Sequence, residues 1–498
     1  MKSSRCREWL SRLGPGAIIA SLTIGSGELV FSSRAGSLFG YNILFVFLLI
    51  CFFKWLLVYA TGRQFIITGK HPLESWMDLP GPRGWLPVTF LILAVPCFPI
   101  WVAFHASTLG SILNHLFGEF LGIHYAFALL CLVGVFLLSI RGSYQKLERV
   151  QILIVGLMLL LVILTVFLLK PNWWEVFQGV ILPGSFQYPD WIDQYPSFNE
   201  RPVWVELSTY VGVVGGSSYD YLCYVAFIRE KGWGNAGRNV SSGAGNVATP
   251  NSPSSLNLDQ DCRNGLQSLR WDSLISFICV FLFSVVFVIC GKLVLAPQSL
   301  TPTGGDLLTL QSAFVSEIYP QLRYVYFAGA IMAMGGTLYG TLEVGPTIVK
   351  ESLCALIDTK LRPSFEVIRQ WSLWLISMMA LSVLLLLQAK QWMNPGGDTV
   401  SFVWILTPAN LFTGVLGCGI ICFATIWISI KMSQAVSSFL GKGWYPAILL
   451  GGLLFFSLGI KGYWDHGRYL SFLILAGSVT LGFICAIVIQ TTQGHHKD

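Results

Sequence analysis

Long apolar runs recur along the whole chain, and each approaches or exceeds the roughly 20 residues that a helix needs to cross a bilayer. Of the 498 residues, 54% are apolar and 11% are charged, whereas about a quarter of the residues are charged in soluble domains. A membrane β-barrel would show short segments of alternating polarity instead. These features predict an all-α polytopic membrane protein, so the lipid bilayer is one of its predicted partners.

The apolar runs separate into about twelve candidate spans, as judged by their length and hydrophobicity. They cover residues 14–38, 42–66, 85–112, 122–140, 149–169, 205–228, 272–296, 323–345, 369–389, 401–430, 444–460 and 468–490. An even number of spans places both ends of the chain on one side of the membrane. Loops on the side of the basic N-terminal segment are rich in Lys and Arg, so the positive-inside rule predicts cytoplasmic ends. The predicted location is the cell (inner) membrane.

Charge and cysteine content exclude some other classes of partner. The formal net charge of +6 gives no reason to expect nucleic acid, because membrane proteins usually carry such an excess on cytoplasmic loops. The twelve cysteines are scattered without a CxxC pair, so neither a cysteine metal site nor a disulfide framework is predicted.

Residues 234–268 are small and polar, which predicts a flexible cytoplasmic loop. The chain, 1–498, is otherwise read as one transmembrane domain.

Span one contains an interruption in the stretch IASLTIGSGELVFSSRAG, residues 19–36. Gly25, Ser26 and Gly27 form its centre, and the carboxylate of Glu28 follows. Glycine lets a backbone leave helical geometry, and a broken helix within a membrane needs protein or water around its freed N–H and C=O groups. The stretch therefore predicts two half-helices whose ends point into a cavity.

Span six repeats this pattern in VGVVGGSSYDYLCYVAFIREK, residues 211–231. Gly215, Gly216 and Ser217 interrupt it, and Asp220 follows. A packing role would be the simpler interpretation of a single cluster, since small residues let membrane helices approach closely. Two interruptions at corresponding positions, each followed by an acid, favour a binding site instead.

The corresponding positions of the two interruptions also predict the organisation of the chain. Five spans separate them, which is typical of an inverted five-helix repeat that holds its substrate near the membrane midplane. The first repeat is predicted over residues 14–169 and the second over residues 205–430. Residues 444–490 then form two additional helices outside the repeats.

Other polar side chains lie within the spans, where they usually face protein or water and mark a pathway. His105 in span three is a candidate proton relay, although a hydrogen-bonded structural histidine is the simpler interpretation. Glu343 in span eight and Asn410 in span ten are further pathway candidates.

Two cations also lie within the first two spans. Arg34 is a candidate pathway residue that would pair with Glu28 or Asp220, or else lie at the external water boundary. Lys54 would extend its ammonium group toward the membrane surface, as long basic side chains often do.

Four segments resemble the Nramp-type (natural resistance-associated macrophage protein) divalent metal transporters. They are GPGAIIASLTIGSGELVFSSRAGSLFGY (14–41), TGRQFIITGK (61–70), SYQKLERVQILIVGLMLLLVI (143–163) and MGGTLYGTLEVGP (334–346). The resemblance implies the LeuT-like fold of the amino acid–polyamine–organocation superfamily, which agrees with the inverted repeat. It also implies a transported divalent cation, with no permanently bound cofactor.

The chain departs from that family at the site itself. The family's first break reads Asp-Pro-Gly-Asn, whereas this chain has Gly25, Ser26, Gly27 and Glu28 at the matching positions. The missing first-span Asp is a metal ligand in the family. The departure leaves Glu28 as the candidate acidic ligand of this span.

Span six departs in the same way. The family's Met-Pro-His corresponds to Ser217, Ser218 and Tyr219, followed by Asp220, and the histidine that often accompanies proton coupling corresponds to Tyr224. A magnesium-transporting branch of the family has an Asp in the place of Asp220. With the thioether gone, the remaining ligands are oxygens, which suit hard cations of the Mg²⁺ or Mn²⁺ type.

Alternative functions remain open from the sequence. The GSG of span one also resembles amino acid permeases of the same superfamily, in which exposed N–H groups bind a substrate carboxylate. A channel or a non-transporting sensor on the same scaffold is a further alternative. An enzyme is not predicted, because the chain has no HExxH motif and no GxSxG motif with a supporting triad.

Overall fold

Helices account for all the regular secondary structure that the computed structural model describes. The described residues are 15–118, 120, 123–140, 153, 156–157, 160, 164–199, 201–237, 260–302, 310–316, 319–357, 362–393, 402–433, 443–466 and 469–494. The main α-helices are α1 (Pro15–Thr23), α2 (Ser33–Phe39), α3 (Ile43–Thr68), α4 (Trp85–Phe117), α5 (Ala126–Ile140), α6 (Trp173–Ile181), α7 (Val203–Val213), α8 (Ser218–Glu230), α9 (Gln260–Cys290), α10 (Leu322–Leu356), α11 (Phe365–Met393), α12 (Phe402–Asn410), α13 (Gly417–Ser433), α14 (Trp444–Asp465) and α15 (Leu470–Gly494).

Nine helical runs in the described part of the chain are long and apolar enough to cross a membrane. One of them, Gly27–Thr68, covers the second part of predicted span one and all of predicted span two. Predicted span four corresponds to α5, which is shorter, and span five (149–169) lies largely outside the described residues, although 164–169 are helical. The multi-pass, all-α class is thus confirmed, while the number of twelve stays a prediction.

Span one does not unwind at its GSG sequence. A π-helical segment, Ile24–Ser32, joins α1 to α2 without a gap, so the prediction of two separate half-helices is wrong for this span. A π-helix keeps its backbone groups in i→i+5 hydrogen bonds. Its glycines serve close packing, because a Cβ atom on Gly25 would overlap Thr337 Oγ1, and one on Gly27 would lie 2.5 Å from the Val213 carbonyl oxygen.

We expect Gly27→Ala to destabilise the protein by about 1–3 kcal/mol, as overpacking in a tight core does, because the obstacle is backbone and cannot rotate away. Gly335→Ala in α10 is the matched control, since nothing lies within 4 Å of its added Cβ. That change should be neutral or stabilise the helix by up to about 1 kcal/mol. The thermal unfolding of both purified variants in detergent measures the difference, and equal melting temperatures would contradict the packing role.

Span six is discontinuous, as predicted. Helix α7 ends at Val213, α8 begins at Ser218, and the chain between them is extended and turned. Gly215 and Gly216 have φ angles of +81° and +93°, which residues with a Cβ adopt only with strain. The two glycines therefore produce a local break in the span.

The predicted flexible loop, residues 234–268, lies mostly outside the described residues, since 238–259 are not described. Its last part differs from the prediction because α9 already begins at Gln260. Cys262, Leu266 and Leu269 are buried at helical spacing on this extension. A helix forms here because that apolar face packs within the protein, mainly against α3.

The two C-terminal helices pack on the periphery of the other spans. Helix α14 lies against α13, and α15 lies against α4. The bounds of the two repeats, 14–169 and 205–430, and the assignment of 444–490 as additions to them, stay predictions.

Candidate functional site

A cavity lies beside the break of span six and holds about 500 Å³ of unfilled space, including its part open to solvent. Its walls come from α1, α4, α7, α8, α10 and the π-helical segment Leu411–Leu416 that joins α12 to α13. Apolar and polar groups share the lining, which consists of Leu22, Thr23, Cys97, Phe98, Trp101, His105, Gly212, Val213, Gly216, Ser217, Tyr219, Asp220, Thr341 and Thr413. The predicted site residues Gly216, Ser217 and Asp220 are therefore brought together on one wall.

Asp220 is the carboxylate on the cavity wall. Its Oδ2 accepts a hydrogen bond of 2.7 Å from the Ser217 N–H, and Ser217 Oγ accepts one of 3.4 Å from the Asp220 N–H. This reciprocal capping box begins α8, and the positive end of the helix dipole favours the ionised carboxylate. The carboxylate lies on the cavity wall beside the Ser217 side chain.

Glu28 approaches the same break but does not line the cavity. It is fully buried, and its Oε1 accepts a 3.2 Å hydrogen bond from the Gly215 N–H. Its Oε2 has no hydrogen-bond partner among the described residues. The glycines Gly25 and Gly27 are also absent from the cavity wall, and the side chain of Ser26 lies outside the described part. Of the two predicted acids, only Asp220 therefore faces the cavity.

Lys54 reaches the break from α3, and the sequence interpretation of this residue is wrong. Its side chain is fully buried, and Nζ donates hydrogen bonds to the carbonyl oxygens of Gly212 (3.2 Å), Val214 (2.8 Å) and Gly216 (2.7 Å). The ammonium group also interacts electrostatically with Glu28. A lysine near the middle of an apolar span is the sequence signal for such an interior role.

His105 lines the cavity with an unpaired nitrogen. Its Nδ1 lies 3.3 Å from Thr341 Oγ1, and the single Thr341 hydroxyl proton goes to the Thr337 carbonyl at 2.8 Å. His105 Nδ1–H is therefore the donor to Thr341, which leaves Nε2 as an acceptor. Nε2 is buried, and no group in the described residues pairs with it.

The two tyrosines singled out in span six have structural contacts. Tyr219 places its ring on the cavity wall, while its hydroxyl donates to the Phe90 carbonyl at 2.6 Å. Tyr224 does not line the cavity, and its hydroxyl donates to Asp272 Oδ2 at 3.0 Å. Asp272 also accepts the Gly16 N–H at 2.8 Å, so Tyr224 joins span six to spans one and seven.

Arg34 pairs with neither Glu28 nor Asp220, so that alternative is wrong. It forms a bidentate ion pair with Glu206, with Nε–Oε1 at 2.7 Å and Nη2–Oε2 at 3.0 Å. Arg201 Nε lies 2.6 Å from Oε2 of the same carboxylate, and the Tyr210 hydroxyl donates to Oε1 at 2.6 Å. Glu206 is not among the site residues predicted from the sequence, although an acid inside predicted span six is itself a signal.

Glu343 and Asn410 are also away from the cavity wall. Glu343 Oε1 accepts from Arg369 Nη2 at 2.7 Å, which ties α10 to α11. Asn410 donates from Nδ2 to the Thr209 carbonyl at 3.1 Å and packs on Gly212. Both residues support helices around the cavity without entering it.

A second buried ion pair lies at the other end of span six. Arg229 Nη1 donates to Glu351 Oε1 at 2.7 Å, and His71 Nδ1 is 4.0 Å from the same carboxylate group. Burial lowers the pKa of His71. Its Nδ1 accepts the Leu73 N–H at 3.3 Å, so Nε2 carries the proton and donates to the Leu222 carbonyl at 3.0 Å. Span six thus has one buried ion network at each end and the cavity between them.

The described residues contain no group of three or more His, Cys, Asp and Glu side chains arranged to hold a metal ion. The cavity wall instead offers one carboxylate, several hydroxyl groups, the His105 imidazole and the Cys97 thiol. Such a sparse set suits an ion that keeps part of its water shell, as Mg²⁺ does.

Residues 16–390 match the family described as natural resistance-associated macrophage protein-like. The chain belongs to this Nramp-like family. Its membership confirms the resemblance that the four sequence segments carry. The match covers spans one to nine as predicted, and leaves out α12 to α15.

Curated relatives of this Nramp-like protein include two proteins named divalent metal cation transporter MntH. The one from Brucella suis is 25% identical over 185 residues, which are 35% of this chain and 38% of the relative. The one from Staphylococcus saprophyticus is 30% identical over 179 residues, with 35% and 38% covered. The matched stretch therefore spans less than half of either relative.

A crystal structure of a variant manganese transporter from Eremococcus coleocola is similar over nearly the whole chain. The TM-score is 0.72 at 16% sequence identity, with 97% of this chain and 95% of that chain covered. This similarity confirms the predicted LeuT-like fold.

Proposed function

We propose that this Nramp-like protein is a secondary transporter that moves a hard divalent metal cation, of the Mg²⁺ or Mn²⁺ type, across the membrane by alternating access. The family supports a metal transporter rather than an enzyme, and the curated relatives carry that activity in their names. The observation that carries the proposal is the Asp220 carboxylate, which lines a cavity at a helix break. Discontinuous helices hold transported ions in this way.

The proposed binding site is centred on Asp220, with Ser217 and the Gly216 backbone beside it. A single carboxylate is enough for an ion that keeps several waters. The Glu28 carboxyl group lies behind the break, where it interacts electrostatically with Lys54. We propose that His105 Nε2 accepts a hydrogen bond from one of the water molecules bound to the ion.

The two ion networks of span six are the proposed gates. Glu206 with Arg34 lies near the start of the span, and Arg229 with Glu351 lies near its end. Alternating access requires that a path opens on one side of the site at a time. In the proposed cycle, spans one, two, six and seven rock against spans three, four, eight and nine, and the networks open in turn. The Arg229 end is the proposed cytoplasmic side, as the positive-inside rule predicts.

A small organic solute with an amino group is the second candidate. Leu22, Phe98, Trp101 and Tyr219 give the cavity a large apolar and aromatic wall, which is typical of sites for organic ligands. Asp220 would then bind the amine. The GSG glycines do not line the cavity, so a carboxylate site at that sequence lacks support from the cavity wall.

Uptake into proteoliposomes tests the two candidates together. We expect saturable uptake of Mn²⁺ or Mg²⁺, measured with and without a pH gradient, and no uptake of a panel of amino acids. Protein-free liposomes are the control. Saturable movement of an amino acid without either metal would overturn the metal proposal and establish the second candidate.

A further inference from the structure

The break of span six leaves backbone carbonyl groups without helical partners. Helix α7 ends at Val213, so the carbonyls of its last turn and of the following turn lose their intrahelical donors. Inside a membrane each unsatisfied carbonyl is costly. The C-terminal end of a half-helix and its unwound carbonyls therefore form a cation site, and discontinuous membrane helices use such ends to hold a mobile cation.

In this chain the side chain of Lys54 occupies that cation site. Lys54 Nζ donates to the carbonyls of Gly212, Val214 and Gly216 at 3.2, 2.8 and 2.7 Å. The Tyr221 hydroxyl donates to the Gly215 carbonyl at 2.6 Å. Four carbonyls at the break, those of Gly212, Val214, Gly215 and Gly216, thus have a donor from the protein itself. The three ammonium protons of Lys54 match the three carbonyls that it contacts.

The surroundings hold the ammonium group in place. Lys54 is fully buried near the middle of the 26-residue helix α3, and its stem packs over Gly215, whose added Cβ would lie 3.3 Å from Lys54 Cδ. The carboxyl groups of Glu28 and Asp220 interact electrostatically with it. A buried charge persists when it is paired and hydrogen-bonded, and both conditions are met here.

We propose that the Lys54 ammonium is a tethered substitute for a mobile monovalent cation at the break of span six, so that this break binds neither Na⁺ nor K⁺. The divalent cation of the proposed function is then confined to the Asp220 side of the break. The tethered cation can be tested without any transported substrate, so its failure is distinguishable from failure of the proposed function.

The test compares the thermal unfolding of wild-type protein and Lys54→Met in choline chloride, NaCl and KCl at equal ionic strength. Methionine keeps an unbranched side chain that is one atom shorter, but removes the charge and the donors. We expect the wild type to melt at the same temperature in all three salts. Lys54→Met should melt lower in choline chloride and recover by about 3 °C or more in NaCl or KCl, because the vacated carbonyls bind the free ion.

The matched control is Lys461→Met in α14. Lys461 is exposed and lies over the Trp204 ring, with Nζ 4.5 Å from the ring centre, so its loss should create no response to Na⁺ or K⁺. A saturable stabilisation of the wild type by either ion would overturn the proposal. The proposal would also be overturned if Lys54→Met responded to Na⁺ or K⁺ no more than the control does. The ammonium group would then only satisfy the carbonyls, without replacing a mobile cation.

A second variant covers the case in which Lys54→Met does not accumulate. Lys54→Gln removes the charge but keeps an amide donor for the break, and we expect it to gain a smaller stabilisation by Na⁺ or K⁺. The absence of any gain in this variant overturns the proposal. If neither variant accumulates, the wild-type comparison decides, with equal melting temperatures in the three salts in favour and a saturable shift against.

Discussion

Replacement of Asp220 by asparagine is expected to reduce metal uptake about 100-fold or more. Asparagine keeps the shape of the side chain, and its Oδ1 is able to accept the Ser217 N–H that caps α8, so the helix break should persist. The lost negative charge is the main attraction for the cation. One pair of unit charges 4 Å apart is worth about 4 kcal/mol at an effective dielectric constant of 20, and each 1.4 kcal/mol is a factor of ten in affinity.

Uptake by Asp220→Asn would be measured as KM and maximal rate in proteoliposomes at equal reconstituted protein. Asp465→Asn, an exposed acid at the end of α14, is the control and should behave as the wild type. Glu28→Gln should have a smaller effect on KM than Asp220→Asn, since Glu28 does not line the cavity. Unchanged uptake by Asp220→Asn would reject the site, and a larger loss with Glu28→Gln would transfer the main ligand to span one.

Replacement of Glu206 by glutamine is expected to lower the free energy of unfolding by about 3–5 kcal/mol, because it leaves buried guanidinium groups without their anion. Arg34 is 4% exposed and Glu206 is 0% exposed, with 2.7 Å between Nε and Oε1. Arg201 and Tyr210 hydrogen-bond or pair with the same carboxylate. The thermal unfolding of the purified variant in detergent measures the loss.

A double-mutant cycle separates this pairing from general damage to the fold. Arg34→Met combined with Glu206→Gln should be less destabilised than the sum of the two single variants, since the second change removes a charge that the first leaves unpaired. Glu175→Gln, an exposed acid on α6, should change stability by no more than about 0.5 kcal/mol. Additive losses in the cycle would contradict a buried ion pair.

The two interruptions show how far local sequence reasoning reaches. At span six, adjacent glycines with positive φ and a Ser217–Asp220 capping box determine the break locally, and it was predicted correctly. At span one, Gly25 and Gly27 also predict a break, but the backbone stays helical there. Because they lack a Cβ, these glycines pack closely against α10 and α7 instead. The local sequence does not distinguish a glycine used for packing from one that breaks a helix.

The partners of the buried charges show the opposite limit. Arg34 is six residues from Glu28 in the sequence, yet it pairs with Glu206, 172 residues away. Lys54 finds carbonyls that are 158 to 162 residues away. Ionisable groups within spans were recognised as important, but which acid meets which base depends on helices that meet only after the bundle has formed.

The sequence by itself determined that this protein spans the membrane many times, that it belongs with the Nramp-like transporters, and that span six breaks before Asp220. These features depend on composition and on residues close together in the chain. Only the tertiary structure decided that Asp220 rather than Glu28 faces the cavity, and that Lys54 fills the break. The physical reason is that a buried charge must be paired with whatever group the packing brings within about 3 Å, and packing brings together residues that are far apart in the sequence.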